Sequence, residues 1–470
     1  MRADLLCPTD TTLLEVLQLF NANTMGIAFV TDAEGRLKGI VSDGDVRRWL
    51  IDGTDLKVQV GQLMSSSYTF AHESKDTAEI LNMTNERIRF IPIVDDDEKV
   101  VDFVQYDTRF RLPVASPNLK GNEFNYLVEA FLSTWISSTG AYINEFEEKF
   151  SAYCGQEYGI ATSNGTVALH LALVTLGIKE GDEVIVPDLT FAATINAVLY
   201  CNATPVIVDV ERESWCIDPE EIKKAITPKT RAIIPVHIYG QPCDMDPIMS
   251  IAREYSLWVV EDCAEAHGAK YKGKVVGSFG HINCYSFYGN KVITTGEGGM
   301  CVTNDQELDR KMRVYRDHGM SKDKRYWHEV IGFNYRMTNL QAAIGVAQLE
   351  RINDIHAFRS DIETTYKEKL GDIAALEFQS GSIEHREKII WLVCALTSAE
   401  NRDAIMAQLN EKGIDCRPFF YPLSDMPIYK EYTFSNQVSV EVSARGLNFP
   451  TSETVKDQTI DIIRSVFTES

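Results

Sequence analysis

Leu257-Trp258-Val259-Val260-Glu261-Asp262-Cys263-Ala264-Glu265-Ala266-His267-Gly268 reads as a short, very apolar strand that stops on an acid and a turn. A run this short and this apolar fits a strand covered on both faces, as in parallel sheets. Similar runs stand at Glu183-Val184-Ile185-Val186, Pro205-Val206-Ile207-Val208 and Ala232-Ile233-Ile234-Pro235, with helical segments between them. From Phe124 onward this alternation predicts an α/β fold, a mainly parallel sheet sandwiched by helices. Ligands of such sheets lie beyond the carboxyl ends of the strands, which is where Asp262 falls.

Two further stretches carry chemistry. Ser163-Asn164-Gly165-Thr166 follows the strand Tyr158-Gly159-Ile160-Ala161 and opens an apolar helix from Val167 to Leu176. Amides at a helix start, beside a glycine that allows close approach, suit a phosphate; taken alone, the tetrapeptide reads better as an ordinary cap. Ser286-Phe287-Tyr288-Gly289-Asn290-Lys291-Val292-Ile293-Thr294-Thr295-Gly296-Glu297-Gly298-Gly299 sets Lys291 after a strand, in apolar surroundings. Burial disfavours an ammonium and frees the amine for Schiff-base chemistry. A lone acid after a strand is commonly a cap and a lone loop lysine is commonly solvated. An anion site, a strand-end acid and this lysine in one chain outweigh those readings. The glycines from Gly296 do not form a dinucleotide fingerprint, because the spacing is wrong and they lead into Met300-Cys301-Val302 rather than a helix. His237, His267 and His318 lack ligand-like pairing, so no metal site is expected.

The front of the chain repeats itself. Ile27-Ala28-Phe29-Val30-Thr31-Asp32 returns as Ile91-Pro92-Ile93-Val94-Asp95-Asp96, each copy followed by a turn and a second apolar run. Leu13 to Phe20 and Thr77 to Met83 offer helical spacing ahead of each hairpin, so a strand and helix unit is used twice. The charge run Asp95-Asp96-Asp97-Glu98 reads as a solvated turn. Pro113 and Pro117 mark a break. The expected division is a repeat module over 1–110, a linker over 111–120, a large domain over 121–371 and a small mixed domain over 372–470.

Composition excludes several classes. With 46 basic and 68 acidic side chains the net charge is −22, which argues against broad binding to nucleic acid or anionic membrane. No stretch is apolar for the length of a bilayer span, and the start lacks a secretory pattern. The ten cysteines are scattered without a C-x-x-C pair, so the expected setting is a reducing cytoplasm with buried, inert thiols.

Two resemblances add to this reading. Residues 1 to about 110 resemble a tandem pair of cystathionine-beta-synthase-type (CBS) repeats, with Gly39-Ile40-Val41-Ser42-Asp43-Gly44-Asp45-Val46-Arg47-Arg48 where such repeats often contact a nucleotide. The resemblance implies a possible nucleotide at Ser42, Asp43 and Arg47, or else a purely scaffolding module. The second copy, Asp102-Phe103-Val104-Gln105-Tyr106-Asp107, lacks the glycine and the small hydroxyl residue.

The three chemical motifs resemble, in order and spacing, the nucleotide-sugar aminotransferases of the fold-type I pyridoxal-phosphate superfamily. So do Trp135-Ile136-Ser137-Ser138-Thr139-Gly140, Pro187 to Ala197, Pro235 to Gly240 and Gly332 to Met337. The resemblance implies pyridoxal 5′-phosphate as cofactor, Lys291 as the aldimine lysine and proton carrier, and Asp262 on the pyridine nitrogen. Gly165, Thr166 and Ser286 would hold the phosphate, Phe191 would stack on the ring, and Glu265 would lie near the ring hydroxyl, where many relatives have glutamine. Asn334 would reach the phosphate of the other subunit in a homodimer. Relatives that remove a sugar hydroxyl carry histidine in place of the lysine, so Lys291 favours amination. The implied reaction carries an amino group from L-glutamate to C4 of a nucleotide-linked 4-keto-6-deoxy sugar, with GDP-4-keto-6-deoxy-mannose nearest. UDP- and dTDP-sugars, a 3-amino product and a chiefly regulatory, nucleotide-sensing chain stay open. Cys416 to Leu423 matches a segment near the substrate, but Ser424 stands where histidine is common.

Overall fold

The apolar runs become neighbours in one sheet. In the computed structural model, described throughout except at residues 1–4, 24, 65–66, 76–79, 81–82, 85–87, 107–111, 322, 382, 399 and 469–470, the strands of that sheet are β1 (Tyr158–Thr162), β2 (Glu183–Pro187), β3 (Thr204–Val208), β4 (Thr230–Ile233), β5 (Trp258–Asp262), β6 (Ile282–Ser286) and β7 (Gly299–Thr303). Their order across the sheet is β1-β7-β6-β5-β4-β2-β3. Every neighbouring pair is parallel except those of β7, which runs against both β6 and β1. Val259 and Val260 of β5 are fully buried mid-sheet. The run read as Ala232–Pro235 belongs to β4, which begins at Thr230; beyond Ile233 the Ile234 N–H still donates to Ile185 and the Pro235 carbonyl accepts the Asp262 N–H, both at 2.9 Å.

Helix α1 (Gly165–Thr175) is buried almost all round, so its sequence shows no polar stripe. α2 (Ala193–Tyr200) follows β2. The end of β1, which delivers the chain to α1, is tied down by Glu147. Its carboxylate accepts the Ala161 N–H at 2.9 Å and pairs with Arg313 at 2.8 Å and Arg316 at 2.6 Å. The same arginines donate to the carbonyls of Gly159 and Ala161 at 2.7 and 2.8 Å. Burial opposes the charge on Glu147, but Arg316 and Arg313 outweigh it and hold the carboxyl below its ordinary value.

The chain falls into two compact units, Met1–Arg111 and Leu112–Ser470. Within the second, Glu377–Phe378, Val393–Leu396, Gly446–Phe449 and Arg417–Pro418 form a small antiparallel sheet. Its core draws on Tyr366 and Leu370, ahead of residue 372. Leu112 and Val114, in the stretch read as linker, are pinned to this part: the Leu112 N–H donates to Gly413 at 2.8 Å and the Thr451 N–H to Val114 at 2.9 Å. Residues 107–111 lie outside the described residues.

In the first unit, Leu6–Pro8 pairs parallel with Ile27–Thr31, which pairs antiparallel with Leu37–Ser42. Ala71–His72, Phe90–Val94 and Val100–Gln105 repeat that pattern. The turns match as well: Asp32 accepts the N–H groups of Glu34 and Arg36, and Asp95 those of Asp97 and Lys99. The acidic run is therefore a hairpin cap. A helix covers Leu13–Asn23, whereas the spacing at Thr77 to Met83 falls largely outside the described residues. Ser42 caps the helix Asp43–Ile51, its N–H and Oγ both donating to Asp45, while Asp43 pairs with Arg47 at 2.7 Å.

Glu147→Ala strands two partly buried guanidiniums, and a loss of about 3–5 kcal/mol is expected in the unfolding of the larger unit, read by thermal and urea melts. Because the folded carboxyl titrates below 4.5, the advantage of wild type over Glu147→Gln is fully present above that pH. It should shrink as pH falls through the folded value.

Candidate active site

Lys291 sits in the turn that joins β6 to β7, its N–H donating to Tyr288 at 2.9 Å. The side chain is 12% exposed, and its Nζ lies 3.6 Å from Glu265 Oε1. On another side the Nζ stands 4.0 Å above the centre of the Trp391 ring. Burial lowers the amine's pKa, and Glu265 and Asp262 pull the other way. Burial also pushes Glu265 up to about 7 against the attraction of Lys291. The other Glu265 oxygen accepts the Tyr239 N–H at 2.8 Å. Burial thus moves the amine down and the carboxyl up, so each lies closer to the other's range than it would in water.

Asp262 ends β5 and is 5% exposed. It accepts from the Thr194 hydroxyl at 2.8 Å and from the Ala264 N–H at 3.1 Å. Burial raises its pKa despite those bonds. Thr194 lies in the first turn of α2, and its N–H donates to the carbonyl of Phe191 at 3.2 Å. Phe191 is 58% exposed and meets Phe420 at 5.8 Å between ring centres. Phe420 in turn lies nearly parallel to Tyr239, 5.4 Å away.

The third group is the start of α1. Asn164 caps it, accepting the Val167 N–H at 3.0 Å, and the amides of Gly165 and Thr166 have no acceptor among the described residues. A Cβ on Gly165 would meet the Ser286 Cβ at 2.7 Å, and one on Gly299 would strike the Asn164 carbonyl. Only hydrogen fits where Ser286, at the end of β6, faces the helix start.

These groups fit the cofactor that the sequence resemblance implies: donors at a helix start for a phosphate, a buried carboxyl for a ring nitrogen, and a buried amine for an aldehyde. Asn334 stands outside this cluster. It is exposed, its Oδ1 accepts from Arg336 at 3.1 Å, and it touches none of Lys291, Asp262 and Ser286 among the described residues. Ser424 donates to Asp188 from its N–H at 2.7 Å and its hydroxyl at 2.8 Å; burial pushes Asp188 up to about 6.

His237, Glu261 and Cys263 approach within 4.8 Å of one another. The His237 nitrogens are both engaged, Nε2 with Glu261 at 2.9 Å and Nδ1 with the Cys243 N–H at 3.0 Å. Glu261 also accepts the N–H groups of Gly277, Phe279 and Gly280. The cluster is a brace for the turn before β6. Burial pushes His267 down to about 3, so it is neutral at physiological pH.

Sequence reading passed over Thr194, Tyr239 and Trp391. The first two lie within stretches that carried the resemblance; Trp391 precedes Val393–Leu396 of the small sheet and has no local signal.

Comparisons with known proteins identify the family and the fold. The sequence model of the DegT/DnrJ/EryC1/StrS aminotransferase family matches residues 117–467, and that of the CBS domain matches residues 1–52. The GDP-perosamine synthase of Escherichia coli O157:H7 is 46% identical over 357 residues, 76% of this chain and 97% of that protein. An aminotransferase from Psychrobacter cryohalolentis superposes with a TM-score of 0.70 at 34% identity, over 75% of this chain and 97% of its own. Spr1654 from Streptococcus pneumoniae, solved in its PLP form, gives 0.72 at 26% identity, over 76% of this chain and 98% of its own.

Glu265→Gln removes the carboxylate that raises the Lys291 pKa, so the amine should titrate lower than in wild type. The pH dependence of Lys291 acetylation, read peptide by peptide in a mass spectrometer, checks the shift.

Proposed function

This chain belongs to the DegT/DnrJ/EryC1/StrS aminotransferase family, whose members are pyridoxal-phosphate enzymes, and on that premise we propose that it moves an amino group from L-glutamate to C4 of GDP-4-keto-6-deoxy-mannose, giving GDP-perosamine. The observation that carries the sugar is the 46% identity to a GDP-perosamine synthase across 97% of that protein's length. The observation that carries the chemistry is Lys291, buried beside Glu265 and within the field of Asp262.

Bound pyridoxal phosphate supplies the electron sink for charge left when a proton leaves carbon. The remaining work falls to the chain. Gly165, Thr166 and Ser286 bind the phosphate through two amides and a hydroxyl. Asp262, held by Thr194 and Ala264, would keep a proton on the cofactor's ring nitrogen. Lys291, its ammonium disfavoured by burial, takes the α-proton of glutamate and later delivers one to the sugar carbon; general base work of this kind contributes on the order of 10²- to 10⁴-fold. Glu265 holds or releases a proton beside that amine. Phe191 would stack on the cofactor ring, and the Trp391 ring lies against the Lys291 nitrogen.

Asn334, exposed in a single chain, supports a homodimer in which it serves the partner's phosphate. No described helix is long and apolar enough to cross a membrane, and all ten cysteines are free and buried; both facts support a cytoplasmic enzyme. A nucleotide at Ser42, Asp43 and Arg47 would have to replace the Asp43–Arg47 pair and share Ser42 with Asp45, which favours a scaffolding module.

Incubation with glutamate and GDP-, UDP- and dTDP-4-keto-6-deoxy sugars, followed by mass spectrometry, should show a carbonyl become an amine on the GDP-sugar. Lys291→Ala should abolish that change, and inactivity of wild type on every 4-keto sugar would reject the reading. Equilibrium dialysis of the full chain against adenine and guanine nucleotides should show no retention at Ser42 and Arg47, with Ser42→Ala leaving the profile unchanged.

A further inference from the structure

Trp391 touches the amine at the centre of the site and comes from the small-sheet region of the chain. We infer that Trp391 is a positioning residue for Lys291, its indole face fixing the lysine nitrogen and favouring the protonated form of that nitrogen. The inference rests on the reading that Lys291 performs the chemistry.

The ring is held from several directions, more than simple packing would need. Its Nε1–H donates to the Asn290 carbonyl at 2.7 Å, which ties the indole to the residue just before Lys291. The Trp391 carbonyl accepts from Arg359 Nη1 at 2.6 Å and from the Thr451 hydroxyl at 3.0 Å. Arg359 is 2% exposed and has no carboxylate partner among the described residues, an arrangement that costs stability unless the guanidinium is well used. Nearly parallel to the ring lie Tyr239, at 6.1 Å and 17°, and Phe420, at 6.5 Å and 28°. Trp391 itself is 4% exposed. The outcome is an indole whose face, at 4.0 Å from Nζ, cannot swing away.

The titratable groups that bear on Lys291 are Glu265, Asp262 and His267. Glu265 changes charge close to neutrality. The electron-rich face of an indole attracts a cation at every pH. Trp391 therefore gives the nitrogen a fixed attraction that persists when Glu265 takes up a proton.

The test uses enzyme loaded with pyridoxal phosphate. Visible absorbance against pH gives a midpoint for protonation at the Lys291 nitrogen, and borohydride followed by peptide mass spectrometry reports whether the cofactor is fixed there. Replacing tryptophan throughout by mono- and trifluorinated analogues draws electron density from the ring with little change of shape. The midpoint should fall stepwise, by about half a unit or more for the trifluorinated protein, and the same series in Trp391→Phe should be flat. Absence of a borohydride adduct at Lys291 in wild type strikes the proposed function rather than the role of Trp391. An adduct at Lys291 with a midpoint that does not move, or that moves equally in Trp391→Phe, overturns the role of Trp391.

Discussion

An ammonium removed from water is expensive, by several kcal/mol even after the surroundings relax, and that cost organises the larger unit. Lys291 is brought into the interior by the turn between β6 and β7, so every group near it must lower the cost of its charge or help it become neutral. Glu265 and Asp262 lower the cost. The apolar shell raises it, and the balance leaves an amine that gives up its proton more easily than a surface lysine. A carboxyl beside it drifts upward for the same reason.

The sheet supplies the convergence. Asp262 ends β5 and Ser286 ends β6, neighbouring parallel strands with a common carboxyl edge. β1 reaches the same edge from the far side of β7 and hands the chain to α1. A helix start with free amides, a strand-end acid and a lysine, spread along the chain from Gly165 to Lys291, thus meet at one edge. Glu147 and its two arginines lock the strand that aims the helix.

Much of this was legible in the sequence because it depends on local pattern. Apolar runs of strand length, an Asn-Gly-Thr helix start, an acid just after Val259-Val260 and a lysine among glycines each announce themselves within a few residues. The pairing of the two hairpins could be read from their repeated apolar and acidic letters. What stayed hidden depends on distant chain. Trp391 follows Lys291 by a hundred residues and lies in an ordinary apolar stretch, and the Thr194 bond to Asp262 joins residues of separate strand-helix units. Asp188 accepts from the N–H and the hydroxyl of Ser424, more than two hundred residues on, a contact that no local pattern announces. The Leu112 to Val114 stretch read as a spacer because of its proline, although its backbone is hydrogen-bonded to Gly413 and Thr451, about three hundred residues on.

The reversed direction of β7 has a mechanical consequence. Two parallel neighbours require a crossover that carries the chain back along the sheet, usually as a helix on one face, and a lysine on such a connection would ride far from the strand ends. Because β7 runs back beside β6, the connection between them leaves and re-enters the sheet at adjacent positions. The amine is carried on a loop over residues 287–298 whose ends are joined, the Phe287 N–H donating to Gly298 at 2.9 Å, and the stiffness of the sheet is lent to one nitrogen atom.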